Sequence, residues 1–186
     1  MTINDINITL KDGKKAVIRN ACDEDIPGML EYLYKSAGET DFILRYPEEC
    51  SRYTPELEKK VFADMNASPN GAMLVCIVEG KLAGNCQITW SNKMKTCHRA
   101  SIGIALLKDY WNLGIGTKLL EELIRIAEEN KIMQMELQFI EGNSRARALY
   151  EKMGFKIVSM LPNAIRSKDG TLLNEYTMIR KIEKNW

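Results

Sequence analysis

Two glycines one residue apart, Gly114 and Gly116 in "DYWNLGIGTKLLEELIRIAEE", stand immediately before a strongly amphipathic stretch. That spacing suits anion chemistry. A strand that ends in a short glycine-containing loop and then enters a helix turns several free backbone N–H groups toward one point, at the positive end of the helix dipole. Glycine keeps side chains out of the approach. The same pair also suits a tight strand-to-helix turn with no ligand, so the wider pattern must decide. Two familiar phosphate loops fail the test. The mononucleotide loop needs Gly-Lys-Ser/Thr, whereas Thr117 and then Lys118 follow Gly116, and the dinucleotide fingerprint needs a third glycine where Leu119 stands. Metal or disulfide chemistry finds no support in the five cysteines, Cys22, Cys50, Cys76, Cys86 and Cys97, which are odd in number, scattered and without a CxxC spacing. They read as reduced, small hydrophobes.

The elements that must position the glycines follow from periodicity. "INITL" and "KKAVIRNA" flank Asp12-Gly13, a hairpin signal, so the chain opens with two antiparallel strands. "CDEDIPGMLEYLYKSAGE" reads as a helix capped by Asp23, and "YTPELEKKVFADMN" as a second, with Thr54 as cap and Pro55 in its first turn. A hairpin turning at Glu79, Gly80 and Lys81 precedes the strand "HRASIGIALL". The helix over about 115–130 puts Leu119, Leu120, Leu123, Ile124 and Ala127 on one side and Glu121, Glu122, Arg125 and Glu128 on the other. A strand "MQMELQFI", a helix "NSRARALYEKM" capped by Asn143 and ended by Gly154, and strands "FKIVSML" and "LNEYTMIRKI" complete the chain. This order predicts an α/β fold, one sheet flanked by helices, in a single domain over residues 1–186. Charge adds an exclusion. A formal net charge of +1 gives no field that steers toward nucleic acid or an anionic membrane, and no run approaches the ~20 apolar residues of a membrane span. With no apolar leader at the N-terminus, a cytoplasmic protein is expected.

The motif that does fit is [Q/R]-x-x-G-x-[G/A]. "GIALLKDYWNLGIGTKLLEELI" resembles the fourth strand, pyrophosphate loop and third helix of the GNAT N-acetyltransferases, and "MELQFIEGNSRARALYEKMGF" resembles their next strand and helix. The second block carries N-x-x-A-x-x-L-Y-x-x-x-G-F at Asn143, Ala146, Leu149, Tyr150, Gly154 and Phe155. The two blocks cover about residues 98–156. The resemblance implies a mixed, mostly antiparallel central sheet with a splayed strand pair, and acetyl-coenzyme A as co-substrate. It assigns the loop amides of Asn112, Leu113, Gly114, Ile115, Gly116 and Thr117 to the pyrophosphate. It pairs the backbone near Ile104 and Leu106 with the pantetheine arm, which Asn143 helps to fix. Tyr150 is implied as the general acid toward the departing thiolate, although its place beside Ala146, Leu149 and Met153 also suits a core tyrosine. Trp111 departs from the motif, which usually has Gln or Arg there.

The implied reaction is direct attack by an amine on the thioester carbonyl. A lysine-like amine of pKa ~10.4 costs roughly 4.6 kcal/mol to deprotonate at pH 7, and an α-amine of ~7.7 only about 1. The base is the weakest point of the pattern. Many members carry a glutamate roughly where Ser101 stands; the candidates here are His98, the one histidine, and Glu141, with Glu136 reading as a solvent-facing strand residue. Acceptor choice is expected from "AGETDFILRYPEECSRY", which mixes Glu39, Asp41, Glu48 and Glu49 with Phe42, Tyr46 and Tyr53. A small-molecule amine is the expected acceptor, with no nucleic-acid or membrane partner and no metal. A sensor that binds the co-substrate without turnover, or acetylation of a protein terminus or lysine, is the alternative, and a homodimer is compatible with the family.

Overall fold

Hairpin chemistry builds the first part of the sheet. In the computed structural model, which describes residues 1–182, β1 (Ile6–Thr9) and β2 (Lys15–Asn20) pair antiparallel through a turn whose Gly13 has φ +87°. β2 pairs β3 (Gly71–Val78), and β3 pairs β4 (Lys81–Trp90) across Glu79 and Gly80, both at positive φ as a two-residue hairpin requires. β5 (Arg99–Leu106), β6 (Gln134–Ile140), β7 (Lys156–Arg166) and β8 (Leu172–Lys181) complete an eight-stranded sheet of order β1-β2-β3-β4-β5-β6-β8-β7. The α/β class and the mostly antiparallel sheet are as expected from the sequence. The chain divides into two compact units, Met1–Thr89 with Gly103–Leu119, and Trp90–Ile102 with the residues from Leu120 onward.

In the first unit, α1 (Ile26–Glu39) and α2 (Pro55–Ala67) bury Met29, Tyr32, Leu33 and Phe62 in one cluster with Met73 and Val75 of β3. Each large apolar side chain so buried stabilises by roughly 1.5–3 kcal/mol. Thr54 caps α2 as expected, accepting the Leu57 N–H at 3.2 Å. Asp23 does not cap α1. A 3₁₀ turn over Asp23–Asp25 precedes the helix, and it is Asp25 that bonds back to the Cys22 N–H, at 2.9 Å. Asp25 takes this place because Arg19 grips its carboxylate at 2.6 and 2.8 Å, while Asp23 pairs with Lys59 at the surface.

In the second unit, β5 and β6 run parallel through three pairs only, Arg99↔Gln134, Ala100↔Met135 and Ser101↔Glu136. β8 lies between β6 and β7, antiparallel to both. α3 (Ile115–Glu129) buries the apolar residues its periodicity selects. Glu122 is the exception on its polar side: it is 7% exposed, with Arg125 bonded to its carboxylate at 2.9 and 3.0 Å. α4 (Ser144–Lys152) ends at Gly154, whose φ of +83° is the left-handed conformation that glycine favours.

Candidate active site

The glycine loop lies wholly in the first unit. β5 holds its place there through the Leu107 N–H, which donates to Ala83 O at 3.0 Å, and the Tyr32 hydroxyl, 3.0 Å from Ala105 O. A 3₁₀ turn over Lys108–Tyr110 then reverses the chain. Two contacts from α1 fix this turn: Glu39 accepts the Lys108 N–H at 2.7 Å, and Lys35 pairs with Asp109 at 2.8 Å. Trp111, the departure from the family motif, donates its indole N–H to Leu106 O at 3.0 Å and closes the loop over the strand end. No sequence rule flagged that bond.

Past Trp111 the backbone enters the left-handed region at Asn112 (φ +65°) and Gly114 (φ +94°). A Cβ built on Gly114 would meet no atom within 4 Å, so the space beside the loop is open. The Lys118 N–H returns to Gly114 O at 3.2 Å as a first helical bond, and the amides of Ile115, Gly116 and Thr117 form the first turn of α3, which has no intrahelical acceptors. An open cradle of amides at the positive end of a 15-residue helix fits a pyrophosphate. Leu113 O is occupied by the Lys11 N–H at 3.3 Å, which ties the loop to the first hairpin. Ile104 and Leu106, half-buried, stand at the end of β5 that feeds the loop.

Four other expected site residues belong to the second unit. Asn143 caps α4, its side-chain oxygen accepting the Ala146 N–H at 3.2 Å. Tyr150 is 7% exposed, with its ring 6.4 Å from that of Phe139 and 6.1 Å, edge-on, from that of Phe155. Its hydroxyl has no hydrogen-bond partner among the described residues, and burial pushes its pKa up to about 12. Such a group stays protonated at neutral pH, as an acid must.

The base candidates are less well placed. The Glu141 carboxylate accepts the Asn174 N–H at 3.1 Å while its own N–H donates to Asn174 O, so it braces β8. His98 is exposed in the turn before β5, with its carbonyl accepting the N–H groups of Met133 and Gln134. Glu136 is gripped by Arg99, with Nη2 at 2.6 Å, and that guanidinium holds its carboxyl below the usual range. Sequence reasoning passed over Glu58, which is 5% exposed on α2. The signal was its spacing: Glu58 stands four residues before the buried Phe62, on the helix face that packs inward.

A mixed sheet that contains a short parallel ladder, and a glycine loop at the start of a long helix, define an α/β fold. The chain belongs to the acetyltransferase (GNAT) family, whose pattern matches residues 37–155. It is 27% identical over 90 residues to the L-amino acid N-acetyltransferase AaaT of Escherichia coli, covering 48% of this chain and 56% of that protein. Over 100 residues it is 30% identical to the [ribosomal protein bS18]-alanine N-acetyltransferase of the same organism, covering 50% of this chain and 68% of that one. A GNAT-family acetyltransferase of Streptococcus pneumoniae superposes with a TM-score of 0.84 at 28% identity, over 90% of this chain and 99% of that one. The fold is shared by the yncA acetyltransferase of Salmonella typhimurium, crystallised with acetyl-CoA, with a TM-score of 0.78 at 17% identity over 92% and 96% of the two chains. Among the described residues no helix is long and apolar enough to cross a membrane.

Proposed function

We propose that this protein transfers the acetyl group of acetyl-CoA to the primary amine of a small molecule by direct attack on the thioester. The observation that carries the reading is the open amide cradle at Gly114, which fits the pyrophosphate of the co-substrate. Acetyl-CoA supplies the activated acetyl thioester. The amides of residues 112–117 bind and orient it, and the β5 backbone near Ile104 and Leu106 aligns the pantetheine arm. Tyr150 holds a proton on its hydroxyl for the departing sulfur, in keeping with its burial and raised pKa.

The test is thiol release from acetyl-CoA across polyamines, amino acids, aminoglycosides and short peptides, with calorimetric binding of acetyl-CoA as control. Turnover with one class of small amine is the expected result. Turnover with peptides alone would move the acceptor to a protein terminus, and failure to bind acetyl-CoA would remove the reading altogether.

A further inference from the structure

Alternate residues of a strand share a face, so Tyr176, Met178 and Arg180 of β8 stand on one side of the sheet with their β6 partners Phe139, Leu137 and Met135. Contacts at two places seat α4 on that side. At one, the Tyr176 ring stacks on that of Phe139 at 5.3 Å, and Phe139 lies 6.4 Å from Tyr150. At the other, Nη1 of the Arg180 guanidinium donates to Met153 O, the carbonyl of the α4 C-cap. A cation at this place also complements the negative end of the helix.

Gly154 makes room for this grip, since a Cβ there would come within 2.5 Å of Nη1. The grip leaves one group unsatisfied: Arg180 Nε is buried and bonds to nothing among the described residues. An unmade buried donor opposes folding, so an arginine at this place is explained by what its other end holds. That end holds the turn next to Tyr150. The Met153 N–H donates to Leu149 O at 3.0 Å and the Phe155 N–H to Tyr150 O at 2.9 Å, while the Phe155 ring packs edge-on, 6.1 Å from that of Tyr150. No described residue bonds to the Tyr150 hydroxyl, so its place is set by these ring contacts and by the seat of α4 on the sheet.

We infer that Arg180 is a positioning residue: by clamping the C-terminal turn of α4 to β8, it sets where the Tyr150 hydroxyl stands relative to the departing sulfur. The inference rests on the acetyltransferase reading. On it, the N–C bond forms, the C–S bond breaks, the Tyr150 hydroxyl gives its proton to the sulfur, and the proton shed by the amine nitrogen restores the phenol. A displacement of about 1 Å at such a step costs on the order of 100-fold in rate. Arg180 gives up no proton and acts through Tyr150 alone.

The test is a double-mutant cycle on kcat, with the amine that the acceptor panel selects as substrate. Arg180→Met keeps an unbranched apolar stem and removes the guanidinium. It should lower kcat about 10–100-fold while KM for the amine and the calorimetric Kd for acetyl-CoA stay within about twofold. The glycine loop belongs to the other unit, which is why cofactor affinity should hold. Arg180→Lys keeps a donor for Met153 O and should recover part of kcat; it carries the same cycle if methionine unfolds the protein. In a Tyr150→Phe background Arg180→Met should change kcat by less than about twofold, because the group it positions is gone. The same fold-loss in both backgrounds, or a lowered Tm with wild-type kcat, would assign Arg180 to the support of the fold and overturn the inference. Either result would leave the acetyltransferase reading standing. A wild type that binds acetyl-CoA and turns over no amine, or a Tyr150→Phe variant with wild-type kcat, would remove the acid role and this inference with it.

Discussion

Replacing Gly114 with valine separates the conformational role of the loop from its binding role. At φ +94° a β-branched residue is strained by about 1–3 kcal/mol, and the open space around the position adds no clash to that cost. For a chain of this size the strain lowers Tm by roughly 2–12 °C, so the protein stays folded at room temperature. The valine methyls would project into the space where the phosphates are expected and displace charge-assisted bonds to the loop amides. Two such bonds at about 1.5 kcal/mol each amount to about 3 kcal/mol, a rise in Kd of about 150-fold. Calorimetric titration with acetyl-CoA, beside a thermal melt of the same sample, reads both quantities. An unchanged Kd would show that the loop does not hold the pyrophosphate. A melt shifted far beyond the calculated range would show that the glycine serves the fold instead.

Tyr150→Phe should leave the melting temperature and acetyl-CoA affinity within error, since the hydroxyl has no partner among the described residues, and should lower kcat by about 10²–10⁴-fold; unchanged steady-state kinetics would return Tyr150 to the core. Tyr32→Phe removes the hydroxyl that reaches Ala105 O and the Asn85 side chain at 2.9 Å, and should cost about 1–3 kcal/mol in urea unfolding. Arg19→Ala strips Asp25 of its guanidinium and should cost roughly 3 kcal/mol at neutral pH. Burial tends to raise the Asp25 carboxyl, but the Arg19 pair and the Cys22 N–H outweigh it and hold it below the usual range. Its contribution is therefore full above ~3.9, the unfolded value, and is lost as the pH falls through the lower folded value. Acid titration should show that contribution in the wild type and not in Arg19→Ala; identical acid profiles would refute the assignment.

The sheet, the four helices and the glycine loop were legible because each rests on local chemistry: turn residues at positive φ, caps, and apolar spacing. What the sequence hid depended on contacts between distant residues. Asp23 and Asp25 offer the same carboxylate to the start of α1, and only the position of Arg19 selects Asp25. Glu122 counts as polar in any helical projection, yet Arg125 makes its burial tolerable. Trp111 breaks the motif as a letter and restores the loop's closure through a bond to a carbonyl five residues back. Glu58 was passed over because a glutamate on a helix is ordinarily solvated; its spacing from Phe62 was the one sign that it lies on the inward face of α2.

The placement of β8 between β6 and β7 has a consequence for biogenesis. Neither neighbour can find its β8 edge until the chain has been synthesised to about residue 181, because β8 follows both in the chain and lies between them in the sheet. During translation β7 therefore emerges with both edges open, carrying Val158, Met160 and Leu161 in exposed positions even in the finished fold. This is the interval in which a nascent chain is most vulnerable to chaperone capture or aggregation, and a stall or truncation before β8 would strand it there.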